Sequence, residues 1–151
     1  EALSNLRIEM GHVAGPELDG RTTPYDVSLE GLVSKKKDFI GKRSLNREAF
    51  TLSTRQRVVG LVPVDKKTPI PEGSHLVKDP KTKLPNPKLG HVSSSCWSVE
   101  YNNPFALAIL QDGKNMIGEK LYALSPLQNK TIPVEIVSSH YVDPKGERVR
   151  S

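Results

Sequence analysis

Apolar and polar positions alternate along short segments after residue 55, and this pattern predicts β-strands. The first segment is rich in β-branched residues from Val58 to Val62 and ends at Pro63, which is typical of a short strand. Turn-forming sequences such as Gln-Asp-Gly at residues 111–113 separate the segments. The six predicted strands are residues 58–62, 74–77, 89–97, 105–110, 120–124 and 132–137. Their number and spacing predict a small antiparallel barrel or sandwich.

The first 50 residues show a helical pattern instead, and we call residues 1–50 the lead-in. An apolar stripe at helical spacing precedes Gly11, and glycine is common just after the end of a helix. The residues of the stripe are Ala2, Leu3, Leu6 and Met10. We therefore predict that residues 1–10 are the end of an amphipathic helix that begins before residue 1.

A second, short helix is predicted from residue 23. Thr23 is suited to cap the helix, Pro24 to its first turn and Asp26 to the positive end of its dipole. We expect this helix to end near Gly31 and to be followed by an extended segment at residues 32–34.

A third helix is predicted to start between Asp38 and Gly41 and to end at Phe50, with Leu45 and Ala49 facing inward. The fold class predicted for the whole chain is therefore α+β. It consists of a short helical lead-in followed by a small six-stranded antiparallel β-barrel.

Composition narrows the class of protein. The chain has 151 residues, 36% of them hydrophobic, which is enough for one ordinary core. Its net charge of +5 is spread along the sequence and its aromatic content is only 5%, so we expect a solvated surface and no nucleic-acid partner. The longest apolar run, residues 105–110, is too short to cross a membrane. The single cysteine, Cys96, forms no internal disulfide, which favours a reducing, cytoplasmic location.

The sequence contains no motif for catalysis by this chain alone. The four histidines have no metal-ligand spacing, so we predict no metal site. Residues 93–96 (Ser-Ser-Ser-Cys) lack the Gly-x-Ser-x-Gly turn of a nucleophile elbow. No acid–base pair or nucleophile–base arrangement is evident, and we assign no catalytic residue.

Several segments, in their order and spacing, resemble one protein family. These are residues 6–11 (Leu-Arg-Ile-Glu-Met-Gly), 17–24 (Glu-Leu-Asp-Gly-Arg-Thr-Thr-Pro) and 37–43 (Lys-Asp-Phe-Ile-Gly-Lys-Arg), followed by landmarks at residues 57–61, 71–73 and 90–94. Together they resemble the folate-dependent aminomethyltransferases typified by the glycine-cleavage T-protein. Residues 11–19 are most similar to the oxidase branch of the family, at the C-terminal end of the sarcosine oxidase alpha subunit.

The resemblance implies a division of the chain and a function for the longer protein. Residues 1–50 would complete the folate-binding domain, and residues 51–151 would form the C-terminal β-barrel domain. The full-length protein would demethylate sarcosine oxidatively and transfer the one-carbon unit to tetrahydrofolate, giving methylenetetrahydrofolate and glycine. FAD, FMN and NAD would be bound elsewhere in the holoenzyme, which would contain further sarcosine oxidase subunits.

The resemblance also places the family's catalytic aspartate and most pterin contacts before residue 1, so the chain alone is expected to be inactive. Two alternatives stay open. In the first alternative to the sarcosine function, the protein is a stand-alone aminomethyltransferase of glycine cleavage. In the second, the chain acts only as a non-catalytic barrel that docks subunits or closes a ligand groove.

Three residues are candidates for folate binding by resemblance. Arg7 shares the apolar stripe of the first helix, where its guanidinium would bind either a folate carboxylate or, as we favour, Glu9 or Asp19. Glu9 would accept hydrogen bonds from a pterin or be structural, and we favour the structural role. Arg148 in the C-terminal tail would reach the anionic end of folate or be solvated, and we favour the solvated tail.

Overall fold

The computed structural model describes residues 1–81, 87–148 and 150, and its six strands close into one antiparallel barrel. The strands are β1 (Gln56–Pro63), β2 (His75–Val77), β3 (Gly90–Ser98), β4 (Asn103–Gln111), β5 (Lys120–Ser125) and β6 (Lys130–Val137). Their order around the barrel is β1-β4-β3-β2-β5-β6. The predicted α+β class and six-stranded antiparallel barrel are confirmed, and the sandwich is not the architecture.

Strict alternation along β1 explains why this strand is buried on both of its faces. Val59 and Leu61 belong to a cluster to which all six strands contribute and which therefore fills the interior of the barrel. Val58 and Val62 lie on the opposite face, in a second cluster on the outside. Because successive side chains of a strand point to opposite faces, one β-branched segment serves both cores.

The second cluster attaches the lead-in to the barrel. Ile8 and Val27 come from the lead-in, and they pack with Phe105 and Leu107 of β4 as well as with the outer residues of β1. Both lead-in residues are buried. Apolar burial of this kind is the main source of stability for such contacts, so the lead-in covers an outer face of the barrel that would otherwise be apolar and exposed.

The first predicted helix is confirmed as α1 (Ala2–Glu9), but it buries a different face from the predicted one. Leu3 is 81% exposed and Leu6 is 57% exposed, whereas Ile8 and Glu9 are buried. Ile8 enters the outer cluster, and the Glu9 carboxylate accepts a hydrogen bond from the backbone of Val99. These contacts with the barrel, rather than the apolar stripe, decide how α1 is oriented.

The predicted second helix is wrong, because residues 24–28 form turns and are followed by a 3-10 turn at Glu30–Leu32. Ser28 has a φ of 60°, a left-handed conformation that a right-handed helix does not contain. The Thr23 side chain was expected to cap the helix, but here it is a donor. The Asp26 carboxylate accepts hydrogen bonds from the N–H and the hydroxyl of Thr23, each at 2.9 Å. The predicted extended segment at residues 32–34 is displaced, because its first residue ends the 3-10 turn.

The predicted third helix is also wrong as one element. It consists of two four-residue helices, α2 (Lys42–Leu45) and α3 (Glu48–Thr51). They are separated at Arg47, whose ψ of 142° is extended. Leu45 is half-buried, but Ala49 is exposed rather than inward-facing. Helices this short have little stability of their own. In the part of the chain that the structure describes, no helix is long and apolar enough to cross a membrane.

Candidate functional site

Arg7 lies at the centre of a hydrogen-bonded network that joins α1 to β3. One terminal nitrogen of Arg7 lies 3.2 Å from a carboxylate oxygen of Glu17. The other terminal nitrogen donates to the Ser94 hydroxyl at 2.9 Å. That hydroxyl donates in turn to the second carboxylate oxygen of Glu17 at 2.6 Å. Three side chains from three separate segments therefore form a closed ring of hydrogen bonds, which we call the Arg7 network.

The expected partners of Arg7 are corrected by this geometry, because its carboxylate partner is Glu17 and neither Glu9 nor Asp19. Asp19 instead lies 2.6 Å from the exposed guanidinium of Arg21. The Arg21 contacts lower the pKa of Asp19 to about 2. The general expectation of a carboxylate partner for Arg7 holds, but the residue was missed.

A β-bulge places the Ser94 hydroxyl in the Arg7 network. The pairing of β3 with β4 shifts register between Val92 and Ser94. Val92 faces the barrel interior, whereas Ser94 and Cys96 face the outside, where Cys96 packs on the outer cluster. A regular strand would keep Val92 and Ser94 on the same face. The extra residue of the bulge reverses this alternation and so turns Ser94 towards the lead-in.

Glu17 is held as a carboxylate despite its burial. Burial alone raises the pKa of Glu17, but hydrogen bonds from Ser94 and the backbone of Ala14, together with the charge of Arg7, bring it below its ordinary value. The Ala14 N–H lies 2.8 Å from the same oxygen that faces Arg7. Both carboxylate oxygens therefore already accept hydrogen bonds, so Glu17 is not free to take a proton from a substrate.

Glu9 is occupied by backbone groups of the barrel and of the C-terminal segment. Its carboxylate accepts the Val99 N–H at 2.8 Å. Its backbone carbonyl accepts the N–H groups of Tyr141, at 3.2 Å, and Val142, at 3.1 Å. Glu9 is 5% exposed. These contacts fix the end of α1 between the turn after β3 and the segment after β6.

Arg148 lies in the C-terminal tail and contacts the turn that follows β3. Its guanidinium donates to Glu100 at 2.6 Å, and both side chains are largely exposed. The hydrogen bond from Arg148 lowers the pKa of Glu100. The exposure agrees with a solvated tail, but the side chain is tied to the barrel rather than free.

The three candidate residues are therefore distributed along β3 and its turn instead of converging on one point. Arg7 contacts Ser94, Glu9 contacts Val99 and Arg148 contacts Glu100. Each has a partner within the chain. The arrangement fixes α1 and the C-terminal segment against the same part of the barrel, which is β3 and the turn after it.

A second ion pair, missed by the sequence reasoning, joins the lead-in to Arg55, the residue directly before β1. The Arg55 guanidinium donates to both carboxylate oxygens of Asp26, at 2.7 and 2.6 Å. The Asp26 carbonyl also accepts the Val58 N–H at 2.7 Å. Burial raises the pKa of Asp26, but the bonds from Arg55 and Thr23 bring it below its ordinary value. The Thr-x-x-Asp spacing at residues 23–26 was the available signal, and it indicates an acidic side chain that folds back on the threonine.

The described side chains around the Arg7 network offer little reactivity. Burial raises the pKa of the Cys96 thiol to about 11, so it is protonated at neutral pH and a poor nucleophile. Among the described residues, no group of three or more His, Cys, Asp or Glu side chains is placed to hold a metal ion. The Arg7 side chain, 22% exposed, is the partly exposed cation of this network.

Comparison with known families gives one match within the barrel. The model of the glycine cleavage T-protein C-terminal barrel domain matches residues 56–143. The matched range begins at β1 and extends past β6, so it contains the whole barrel.

Comparison with known proteins extends the likeness into the lead-in. The chain is 38% identical to the sarcosine oxidase subunit alpha of Rhizobium meliloti (strain 1021) over 99% of its length. It is 36% identical to that of Corynebacterium sp. (strain P-1) over 98% of its length. It spans 15% of the length of each. An aminomethyltransferase from Thermosipho melanesiensis is 29% identical over 87% of the chain and 34% of the relative.

A solved structure shares the fold. The glycine cleavage system aminomethyltransferase T from Bartonella henselae superposes with a TM-score of 0.71 and 24% identity, over 95% of this chain and 38% of that one. At this level of identity the similarity supports the fold alone. The superposed length includes both the barrel and most of the lead-in.

Proposed function

Because the chain belongs to the family of glycine cleavage T-protein C-terminal barrel domains, we propose that it is the C-terminal part of a sarcosine oxidase alpha subunit. The observation that carries this proposal is the 38% identity to such a subunit over 99% of the chain, lead-in included. The aminomethyltransferase relatives are less similar, at 29% identity for the one from Thermosipho melanesiensis. The stand-alone aminomethyltransferase of glycine cleavage is therefore the less favoured alternative.

The proposed reaction of the full-length protein is the oxidative demethylation of sarcosine. Two electrons pass from sarcosine to a flavin elsewhere in the holoenzyme, and the methyl-bearing C–N bond of sarcosine becomes an imine. Tetrahydrofolate captures the methyl-derived carbon, which yields methylenetetrahydrofolate and glycine. FAD, FMN and NAD are expected in other parts of the holoenzyme, together with further subunits. A cytoplasmic location is part of the proposal, since the single cysteine of the chain is a free thiol.

The part that this chain plays is proposed to be structural. The Arg7 network attaches the lead-in to β3, and the ion pair of Asp26 with Arg55 attaches it to the residue directly before β1. We propose that the lead-in, attached in this way, holds the upstream domain in a fixed position relative to the barrel. Exposed apolar residues are frequent in it, including Leu3 and Leu32, each about four-fifths exposed, and such residues favour an intramolecular contact.

The three candidate residues for folate binding differ in how well their contacts would suit that role. Arg7 has the best position, because its hydrogen bonds come from the two terminal nitrogens and about a fifth of its side chain is exposed. A guanidinium of this kind fits a carboxylate such as the glutamate end of folate. Glu9 and Arg148 are engaged by the chain itself, and we propose that they support the site without touching folate.

The proposed function is tested by product analysis of the full-length protein. Purified protein is supplied with sarcosine labelled at the methyl carbon, with and without tetrahydrofolate. We expect glycine in both cases, the label in methylenetetrahydrofolate when the folate is present, and the label in formaldehyde when it is not. No sarcosine consumption, or an equal yield of free formaldehyde under both conditions, would contradict the proposal. Transfer from an aminomethylated carrier protein without sarcosine oxidation would favour the glycine-cleavage alternative.

A further inference from the structure

A small pocket lies beside the start of β1, and no member of the Arg7 network lines it. Its volume is about 290 Å³, and four segments of this chain surround it. They are the turn at residues 28–30, the start of β1, the turn after β4 and the segment after β6. β6 pairs with β1 only from Gly60 onwards, so the start of β1 has no strand partner on this side. The pocket occupies that gap.

Arg57, which lines this pocket, carries an unsatisfied polar atom. Its Nε atom is buried and, among the described residues, has no hydrogen-bond partner. Buried polar groups are nearly always hydrogen-bonded, and an unpaired N–H of a charged group is especially costly. The four ion pairs found between described residues do not involve Arg57. A guanidinium in this state is suited to an incoming acceptor.

The other charged groups around the pocket determine which acceptor fits. Lys114 and His140 line the pocket together with Arg57. Glu30 adds a carboxylate to the lining. The hydroxyls of Ser138 and Ser139 are engaged with the backbone and ring of His140. Two fixed positive charges attract an anion, whereas the nearby Glu30 opposes a second negative charge. This balance favours a singly charged carboxylate over a phosphate dianion.

We propose that this pocket is a binding site for a free small carboxylate, held by the Arg57 guanidinium with Lys114 as a second cation. A carboxylate matches the guanidinium in shape, because its two oxygens can accept parallel N–H bonds from two guanidinium nitrogens. The site is separate from the Arg7 network and does not depend on the proposed function. Four segments of this chain form the walls of the pocket. The 151-residue chain therefore contains every residue that the ligand is proposed to contact.

The Arg57 Nε–H resonance gives a direct test. The 151-residue chain, labelled with ¹⁵N, is titrated with sodium acetate and, at matched ionic strength, with sodium chloride. We expect the Arg57 Nε–H signal to shift saturably with acetate, with half-saturation at about 1–10 mM, which is the scale of one small charge-assisted contact. Phosphate at pH 7.5 should bind at least about fivefold more weakly. An Arg57 signal that does not saturate, or that responds equally to chloride, overturns the proposal.

Matched variants distinguish the site from a general attraction of anions. Arg57→Gln should abolish saturable acetate binding, observed at the backbone N–H of Ser139, and Lys114→Gln should weaken it at least about threefold. Arg47→Gln removes the same charge from an exposed position in the lead-in and should leave acetate affinity unchanged. Unchanged affinity in Arg57→Gln would overturn the proposal. So would a full-length protein whose Arg57 signal is insensitive to acetate, because a side chain of the upstream part would then occupy the pocket.

Discussion

Arg7 on α1 and Glu17, ten residues later, form an ion pair in which the Glu17 side chain is completely buried and the Arg7 side chain is partly exposed. The Ser94 hydroxyl bridges the two from β3. Removing one member of such a pair leaves an uncompensated group in a buried site. The pair therefore couples the ionisation of Glu17 to the attachment of the lead-in.

The first prediction concerns the pH dependence of stability. The folded-state pKa of Glu17 is below its ordinary value of 4.5, so the unfolded chain binds the proton more readily. The stabilisation is complete above the ordinary value and is lost as the pH falls through the lower folded value. We expect Glu17→Gln to lower the unfolding free energy by about 1–3 kcal/mol at neutral pH. The loss caused by this substitution should be smaller in acid.

Urea unfolding between about pH 6 and about pH 3 measures this slope. Glu135→Gln is the matched control, because Glu135 is exposed on β6 and should behave like the unsubstituted chain. If Glu17→Gln and Glu135→Gln lose stability in parallel on acidification, the buried ion pair does not have the role assigned to it.

A second prediction concerns Gly11, where α1 ends. Its φ is 69°, and a Cβ would lie 2.5 Å from the carbonyl oxygen of Ser139. Alanine there suffers both the left-handed conformation, which costs roughly 1–2 kcal/mol, and a clash with backbone that cannot easily move. We expect Gly11→Ala to lower the unfolding free energy by more than about 2 kcal/mol. Gly20→Ala, which meets nothing within 4 Å, is the control and should change it by less than about 0.5 kcal/mol. Similar losses in both variants would show that the close contact between residue 11 and the Ser139 carbonyl does not determine the loss of stability.

The third prediction concerns the autonomy of the barrel. The interior cluster is formed entirely by residues of the barrel region, from Val59 to Ile136, so deletion of residues 1–50 should leave a chain that folds cooperatively. The deletion also exposes the outer apolar residues Val58, Val62 and Leu107 and removes Asp26 from Arg55. We expect dispersed amide resonances, a lower melting temperature and increased binding of a hydrophobic dye. A product without a cooperative melt would show that the lead-in is part of the essential core.

The barrel was largely predictable from sequence because its signals are local. β-branched alternation from Val58 to Val62 and the turn at residues 111–113 each act within a few residues, and the structure places strands and turn where they predict. The lead-in was less predictable. Its apolar stripe pointed to Leu3 and Leu6, which are exposed, whereas the orientation of α1 is fixed by Glu9 through a contact 90 residues away.

The site shows the same limit more strongly. Arg7 was recognised as a cation that needs a carboxylate, but Glu17 was not recognised as the partner. The bridge from Glu17 to Ser94 spans 77 residues and depends on a bulge in β3. No single-sequence pattern specifies which face a serine takes after a bulge, so the Arg7 network could only be found in three dimensions.

The fourth prediction is that the 151-residue chain has no catalytic activity. The described residues around Arg7 hold Glu17 in a fully hydrogen-bonded state and Cys96 as an unreactive thiol. We expect no methylenetetrahydrofolate above the uncatalysed rate when the purified chain is incubated with formaldehyde and tetrahydrofolate. The full-length protein is the positive control. Turnover by the chain alone would mean that it contains a catalytic group that the structure has not identified.

We infer that Arg7 is a structural anchor within a non-catalytic part of a folate-using enzyme, and full-length Arg7→Met protein tests this most directly. Its melting temperature and tetrahydrofolate dissociation constant are measured together. Arg43→Met, at an exposed position of α2, is the control. We predict a loss of about 1–2 kcal/mol in unfolding free energy, the scale of one charged hydrogen bond, with folate affinity unchanged. An unchanged melting temperature with folate binding weakened about tenfold or more, equivalent to at least ~1.4 kcal/mol, would contradict the account and make Arg7 a folate ligand.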